Sequence, residues 1–316
     1  MVLHGLLDYI ESPTIANRIV SSRADWLHSN TVEIEQNIID DMSSPTTVPA
    51  GFGPNNPPWG ALEGIGVWFA SVLFILFVPA VFLLPYLALH QPPILDNEQL
   101  VEFAKTDPTA VLLQIVAILP AHLFTAVVAW LIITRFRKFN FREMVGWRSG
   151  GFRWWQYVVV LVGFGFIAWG VSNIYPEQDN DLLKILRTSQ AAVYVVAFMA
   201  TFTAPFVEEV VYRGALYSAF QRAWGVPAAF LLTTSLFALV HVPQYWPSYS
   251  TIFLLTLLSL ILTAIRVKTN NLLPCIIFHT IFNGLQSISL IAEPVAKKPE
   301  IPDPTALILT IIQYVK

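Results

Sequence analysis

Long apolar stretches alternate with short polar ones along most of this chain. Uncharged runs cover Gly66 to Leu89, Thr109 to Thr134, Trp154 to Tyr175 and Thr188 to Val207, each close to the roughly 20 residues a helix needs to cross a bilayer. A further uncharged run, Ala223 to Ile265, is too long for one pass, and Pro243 with Pro247 mark its expected reversal. Thr269 to Ala292 makes another pass, while Pro304 to Val315 is short and reads as a partial or interfacial helix. The predicted fold class is therefore all-α: a polytopic transmembrane helix bundle of seven or eight passes.

Composition agrees with that reading. Of 316 residues, 55% are hydrophobic and only 12% charged, against about 25% charged in soluble domains. Eighteen Lys and Arg against 21 Asp and Glu leave a formal charge of −3, with no basic excess for gripping phosphates, so no nucleic-acid partner is expected. The single Cys275 excludes a disulfide framework and a multi-cysteine metal site. Any metal must use His, carboxylate or amide ligands.

Cationic loops are retained in the cytoplasm. Arg135, Arg137, Lys138, Arg142, Arg148 and Arg153 lie between the second and third passes, and Arg213, Arg222, Arg266 and Lys268 follow later alternate passes. The opposite loops carry Asp96, Glu98, Glu102, Asp107, Glu177, Asp179 and Asp181. The N-terminus is thus expected in the cytoplasm. Residues 1–43 form a segment of mixed polarity with no assigned role, without the cleavable apolar core of a secretory signal. A Pro- and Gly-containing linker is expected over 44–65, and the transmembrane domain over 66–316.

Ionisable residues within apolar helices are costly, and persist where they pair or line a functional cavity. Three clusters stand out: Glu208-Glu209 with Arg213, Phe237 with His241, and His279 with Asn283. Glu209 and Arg213 are one helical turn apart and meet on one face, whereas Glu208 is rotated by about 100° and can point into a bundle cavity. Alone, the first cluster reads as the inner end of a helix whose charges reach water, and the third as an interhelical hydrogen-bond pair. His122 reads as a packed, hydrogen-bonded residue. Together the clusters supply a base for water, a proton carrier and donors for an oxyanion. The same residues offer a metal site through Glu208, His241 and His279 with an open position for water, and spacing does not separate the two versions.

The order Glu-Glu-x-x-x-Arg, Phe-x-x-x-His, His-x-x-x-Asn over successive membrane helices resembles the CAAX prenyl protease and bacteriocin-processing family of intramembrane proteases. The lead-in Asn270-Asn271-Leu272-Leu273-Pro274 resembles that family as well. The likeness spans about 189–292. It implies an endopeptidase in which Glu208 activates water, Glu209 with Arg213 supports the site, His241 binds or activates the water, and His279 with Asn283 stabilises the oxyanion. It implies a membrane-associated protein or peptide substrate, prenylated CAAX proteins among the candidates, an active site toward the cytoplasmic side, and either zinc or metal-independent glutamate catalysis. Bacteriocin self-immunity, or a non-enzymatic partner-binding scaffold of the same fold, is the competing expectation.

The traces of other intramembrane proteases are missing: there is no Gly-x-Ser-Gly, no His-Glu-x-x-His, and Gly163-Phe164-Gly165 is followed by Phe166 rather than Asp. One geometric demand follows. A fifth helix starting near Val226 carries His241 about 22 Å from its start at 1.5 Å per residue, while Glu208 sits at the end of the fourth apolar run. Convergence then requires a break at Pro205 or a tilted fifth helix.

Overall fold

A computed structural model describes residues 51–90, 96–176, 178, 186 and 189–292. The segment 1–43, the C-terminal run Pro304 to Val315 and most of the acidic loop after Tyr175 lie outside the described residues. Among the described residues the chain is helical, in the order α1 Ala61–Leu89, α2 Asn97–Thr106, α3 Pro108–Ile133, α4 Phe141–Val145 and α5 Trp154–Ile174. A compound helix follows: α6 Gln190–Phe198, a π-helical turn Met199–Thr203, α7 Ala204–Glu209, a second π turn Val210–Leu216 and α8 Tyr217–Tyr245. The last two helices are α9 Tyr249–Thr269 and α10 Leu273–Ala292.

Among the described residues, six helical stretches are long and apolar enough to cross a membrane. The largest, Gln190–Tyr245, has 56 residues, which would extend about 84 Å if straight. It is not straight. At Gly225 the backbone takes φ 81° and ψ 173°, a region open to glycine because it has no Cβ. Tyr212 and Phe237 would be about 38 Å apart on an unbroken helix, yet their ring centroids are 5.0 Å apart. The stretch is therefore a helical hairpin with its apex at Gly225, and supplies two legs of the bundle. Pro227 sits in the first turn of the returning leg, where a missing N–H costs nothing. The expected reversal near Pro243 and Pro247 appears as the break between α8 and α9.

This hairpin corrects the expected end of the fourth helix near Val207. Neither Pro205 nor the charges of Glu208 and Glu209 stop it. Pro205 occupies the first turn of α7 directly after a π turn, so its missing donor falls where the hydrogen-bond ladder already shifts. The charge of Glu209 is neutralised inside the protein by Arg213, as described below.

The spans look apolar on every side, as expected for helices that face lipid as well as protein. On α5, Trp154, Val158, Val162, Phe166 and Trp169 are exposed, a surface suited to hydrocarbon. The chain is an integral, multi-pass membrane protein. Its packed centre is the second π turn, all seven residues of which are buried, surrounded by α1, α3 and α8 through Val67, Ala129, Ile133 and Phe237.

Polar caps place the ends of the spans. Asp107 Oδ1 accepts from the backbone amides of Thr109 and Ala110 at 3.0 and 2.8 Å, starting α3 at Pro108. The N–H of Gly60 donates to Glu63 Oε2 at 2.6 Å, which starts α1 at Ala61, ahead of the apolar run at Gly66. Gly146 closes α4 at φ 71°, and a Cβ there would lie 2.8 to 2.9 Å from Asn270 and Asn271. The carbonyl of Gly146 takes the amide of Leu272 at 2.9 Å. That bond ties the polar lead-in of α10 to the loop between α3 and α5.

Gly225→Val should destabilise the fold by about 1–3 kcal/mol, the cost of forcing a β-branched residue into a glycine-only backbone region. The added Cβ meets only Pro227 Cδ, at 3.9 Å, so the loss comes from backbone strain. Thermal denaturation in detergent checks it; an unchanged midpoint would mean that the apex relaxes freely.

Candidate active site

Glu208 lies 17 residues before Gly225 and His241 16 residues after it. A hairpin pairs positions equidistant from its apex, so the two side chains come to a similar depth. The conflict in depth came from assuming that the outgoing leg ended at Glu208, when that residue lies mid-helix.

Glu209 is fully buried. Its Oε1 accepts from Arg213 Nη1 at 3.0 Å and from His279 Nδ1 at 2.9 Å. Arg213, equally buried, donates through Nη2 to the Ser259 carbonyl at 3.0 Å, Ser259 Oγ at 2.8 Å and Thr263 Oγ1 at 3.4 Å. Its guanidinium also lies 4.8 Å from the centre of the Phe237 ring. The ion pair is thus supported by α9 on one side and by an aromatic face on the other, with Glu209 Oε2 and Arg213 Nε left buried without a hydrogen-bond partner among the described residues.

Glu208 is the exposed member of the pair. Its side chain retains 24% exposure, and Oε2 stands 3.9 Å from His279 Nε2. His279 is therefore flanked by carboxylates on both ring nitrogens. Because Glu209 can only accept from Nδ1–H, that bond fixes the ring's orientation and turns Nε2 toward Glu208.

His241 is held differently. Its Nδ1 lies 2.7 Å from the carbonyl of Phe237, which only accepts, so Nδ1 carries the proton and Nε2 of the neutral ring has a free lone pair. The imidazole stacks on Phe237 at 4.7 Å between centroids. The same Phe237 ring approaches His279 at 6.2 Å and Tyr212 at 5.0 Å. Phe237 is the shared wall of the site.

Asn283 shares α10 with His279, one turn away, but its Nδ2 donates to the Ala200 carbonyl at 2.9 Å. Beside it, Thr201 Oγ1 donates to Ser287 Oγ at 3.0 Å and Ser287 Oγ to the Ala197 carbonyl at 3.2 Å. This ladder fastens α10 to α6 and the first π turn. Asn283 is accordingly oriented by a backbone contact, and not drawn into the Glu209–His279 cluster.

His122 on α3 pairs its Nδ1 with Thr203 Oγ1 at 3.0 Å, as a packed histidine should. Its only sequence signal was the cost of a histidine in a membrane span. Cys275 is buried with Sγ donating to the Leu262 carbonyl at 3.4 Å, a packing role.

Among the described residues, no three His, Cys, Asp or Glu side chains are arranged to hold a metal ion. His279 and His241 commit Nδ1 to Glu209 and to the Phe237 carbonyl, which leaves Nε2 as the ligand atom each ring has to offer beside Glu208.

Residues 189–285 match the model of the type II CAAX prenyl endopeptidase Rce1-like family. The match covers 97 of the 316 residues, runs from the cap of α6 into α10, and contains all six polar residues of the three clusters. No curated protein and no solved structure matches the chain.

Breaking the buried pair from one side should cost far more than removing it whole. Arg213→Met is expected to lower stability by about 3–5 kcal/mol, with Glu209→Gln in the same chain recovering most of the loss. A double-mutant cycle by thermal or denaturant unfolding checks this; additive losses would show that the pair is not coupled.

Proposed function

We propose that this chain is an intramembrane endopeptidase that hydrolyses a peptide bond of a membrane-associated protein or peptide. The family match supports a protease of the CAAX endopeptidase kind. The observation that carries the mechanism is the division of labour between adjacent carboxylates: Glu209 is buried and tied through Oε1 to Arg213 and His279, while Glu208 is partly exposed and faces His279 Nε2.

Glu208 removes a proton from a water whose other proton is held by the free lone pair of His241 Nε2. The resulting hydroxide attacks the scissile carbonyl, and the C=O electron pair becomes an oxyanion. His279, protonated on both nitrogens, donates from Nε2 to that oxygen. An amide nitrogen carries two N–H groups, so the bond of Asn283 to Ala200 orients the side chain and leaves a second donor for the same task. Collapse of the intermediate breaks the C–N bond, and Glu208 returns its proton to the leaving amine. Glu209 and Arg213 act through His279, holding it in place.

A cavity of about 340 Å³ between α3, α4 and the compound helix is lined by Ala126, Val127, Trp130, Phe141, Phe206 and Val210. Phe206 and Val210 flank the two glutamates in sequence. This apolar groove, on the same compound helix as the carboxylates, supports a substrate with a hydrocarbon portion, as a prenylated CAAX-type protein has.

The same reading sets the site toward the cytoplasmic side. Arg135, Arg222 and Arg266 all bond the segment 51–60, so one end of the bundle gathers the cationic residues of three separate elements. Residues 51–60 enter the bundle at that end, in accord with a cytoplasmic N-terminal flank.

Glu208→Gln should abolish cleavage of membrane-anchored and lipidated reporter peptides in liposomes while folding is kept, and a chelator should leave the wild type active. Activity in Glu208→Gln would sink the mechanism; loss to the chelator would replace it with a metal-bound water. A well-folded wild type that cuts no member of the panel would favour an immunity or scaffold role.

Gly151→Cys, in the exposed loop before α5, should react with a membrane-impermeant thiol reagent in inside-out vesicles and not in right-side-out ones. Buried Cys275 contributes little background. The reverse labelling would invert the topology.

A further inference from the structure

We infer that Trp59 and Arg266 are positioning residues for the Glu208–Glu209 pair, acting through the backbone of the π turn that follows it. The functional half of this inference rests on the endopeptidase reading; the structural half stands apart from it.

The segment 51–60 lies across the bundle end as a proline-rich strap. Four of its groups meet arginine: the carbonyl of Pro54 and Oδ1 of Asn55 take Arg266, the carbonyl of Pro57 takes Arg222, and that of Pro58 takes Arg135. Tertiary amides before proline cannot donate, so the strap offers acceptors and the bundle end supplies cations.

Arg266 differs from the other two. It is fully buried, and among the described residues no carboxylate pairs with it. Besides the strap, its Nε donates to the carbonyl of Arg213 at 3.2 Å and Nη2 to Ser218 Oγ at 3.2 Å, with the guanidinium 5.1 Å from the centre of the Tyr217 ring. Trp59, also fully buried, donates Nε1–H to the carbonyl of Ala215 at 3.0 Å.

Both acceptors belong to the π turn Val210–Leu216. A switch from i→i+4 to i→i+5 bonding displaces carbonyls from their regular partners, and here side-chain donors meet two of them. One is the carbonyl of Arg213, whose own guanidinium neutralises Glu209. The path is short: strap to Arg266, Arg266 to the backbone of Arg213, Arg213 to Glu209, and Glu209 to His279. Loosening the turn shifts where Arg213 starts, and with it the carboxylate that fixes His279 opposite Glu208.

Arg222 supplies the comparison, because it grips the strap without touching the π turn. Trp59→Phe keeps an aromatic ring but loses the N–H together with the pyrrole half of the indole; Arg266→Lys keeps the charge and loses the fork of donors. In each, kcat should fall about tenfold with KM within about twofold of wild type, as expected when positioning is lost and binding is not. Arg222→Lys should leave both near wild type. Independently of turnover, hydrogen exchange on the full-length protein should speed up by about tenfold for amides within 209–216 in Trp59→Phe and Arg266→Lys, and not in Arg222→Lys.

Unchanged exchange in both variants, or equal acceleration in all three, overturns the inference and makes the strap a general clamp. Faster exchange with KM rather than kcat affected overturns the functional half. If the wild type cuts nothing, exchange alone decides whether the strap holds the turn, and the failure belongs to the endopeptidase reading.

Discussion

Burying a carboxylate in a membrane protein is a severe constraint, and the surroundings of Glu209 answer it. A lone buried carboxylate costs several kcal/mol even after relaxation. Arg213 offsets that cost while its Nη2 is held by Ser259 and Thr263 and its face by Phe237. Satisfying one charge therefore recruits α8 and α9, and the second donor to Glu209, His279, recruits α10. Three elements distant in sequence are brought to one point by a single oxygen, Oε1.

Two departures from regular helix make that arrangement possible. The hairpin at Gly225 returns the chain so that Phe237 lies beside Tyr212, 25 positions earlier, with His241 stacked on Phe237. The π turns on either side of α7 insert extra residues per turn, absorbing Pro205 and opening carbonyls to Trp59, Arg266 and Asn283. A straight α-helix would have offered none of these acceptors. The polar ladder that locks α10 and the strap to the compound helix is a consequence of its irregularity.

Much of this was legible in the residues. The apolar runs placed the spans to within a few residues, because a bilayer sets helix length directly. The pair Glu209–Arg213 followed from helical spacing. The end of the fourth helix did not follow, because charge was read as a sign of water, whereas Glu209 and Arg213 neutralise each other internally. Gly225 passed unnoticed, since a single glycine in an apolar run carries no signal of a reversal without its tertiary contacts. Arg266 read as a cytoplasmic cation and Pro54 to Pro58 as a linker, because a bond between a guanidinium and a proline carbonyl more than 200 residues away leaves no trace in spacing. His279 as the bridge between two carboxylates was equally invisible, since its partners lie on another helix.

The contrast between the two adjacent glutamates is the sharpest consequence of this architecture. A base that must accept and return a proton needs a carboxylate not already saturated by fixed donors. Glu209, with two donors on one oxygen and no exposure, is poorly suited to that task and well suited to fixing an imidazole. Glu208, one residue and 100° away, meets the other side of the same imidazole and keeps access to the space before His279 Nε2. Adjacent positions on a helix cannot share a face, so a Glu-Glu dipeptide yields one engaged and one available carboxylate. Placing such a dipeptide mid-helix, opposite a returning leg that carries His241 at nearly equal distance from the apex, sets an ordered imidazole between one buried and one partly exposed carboxylate.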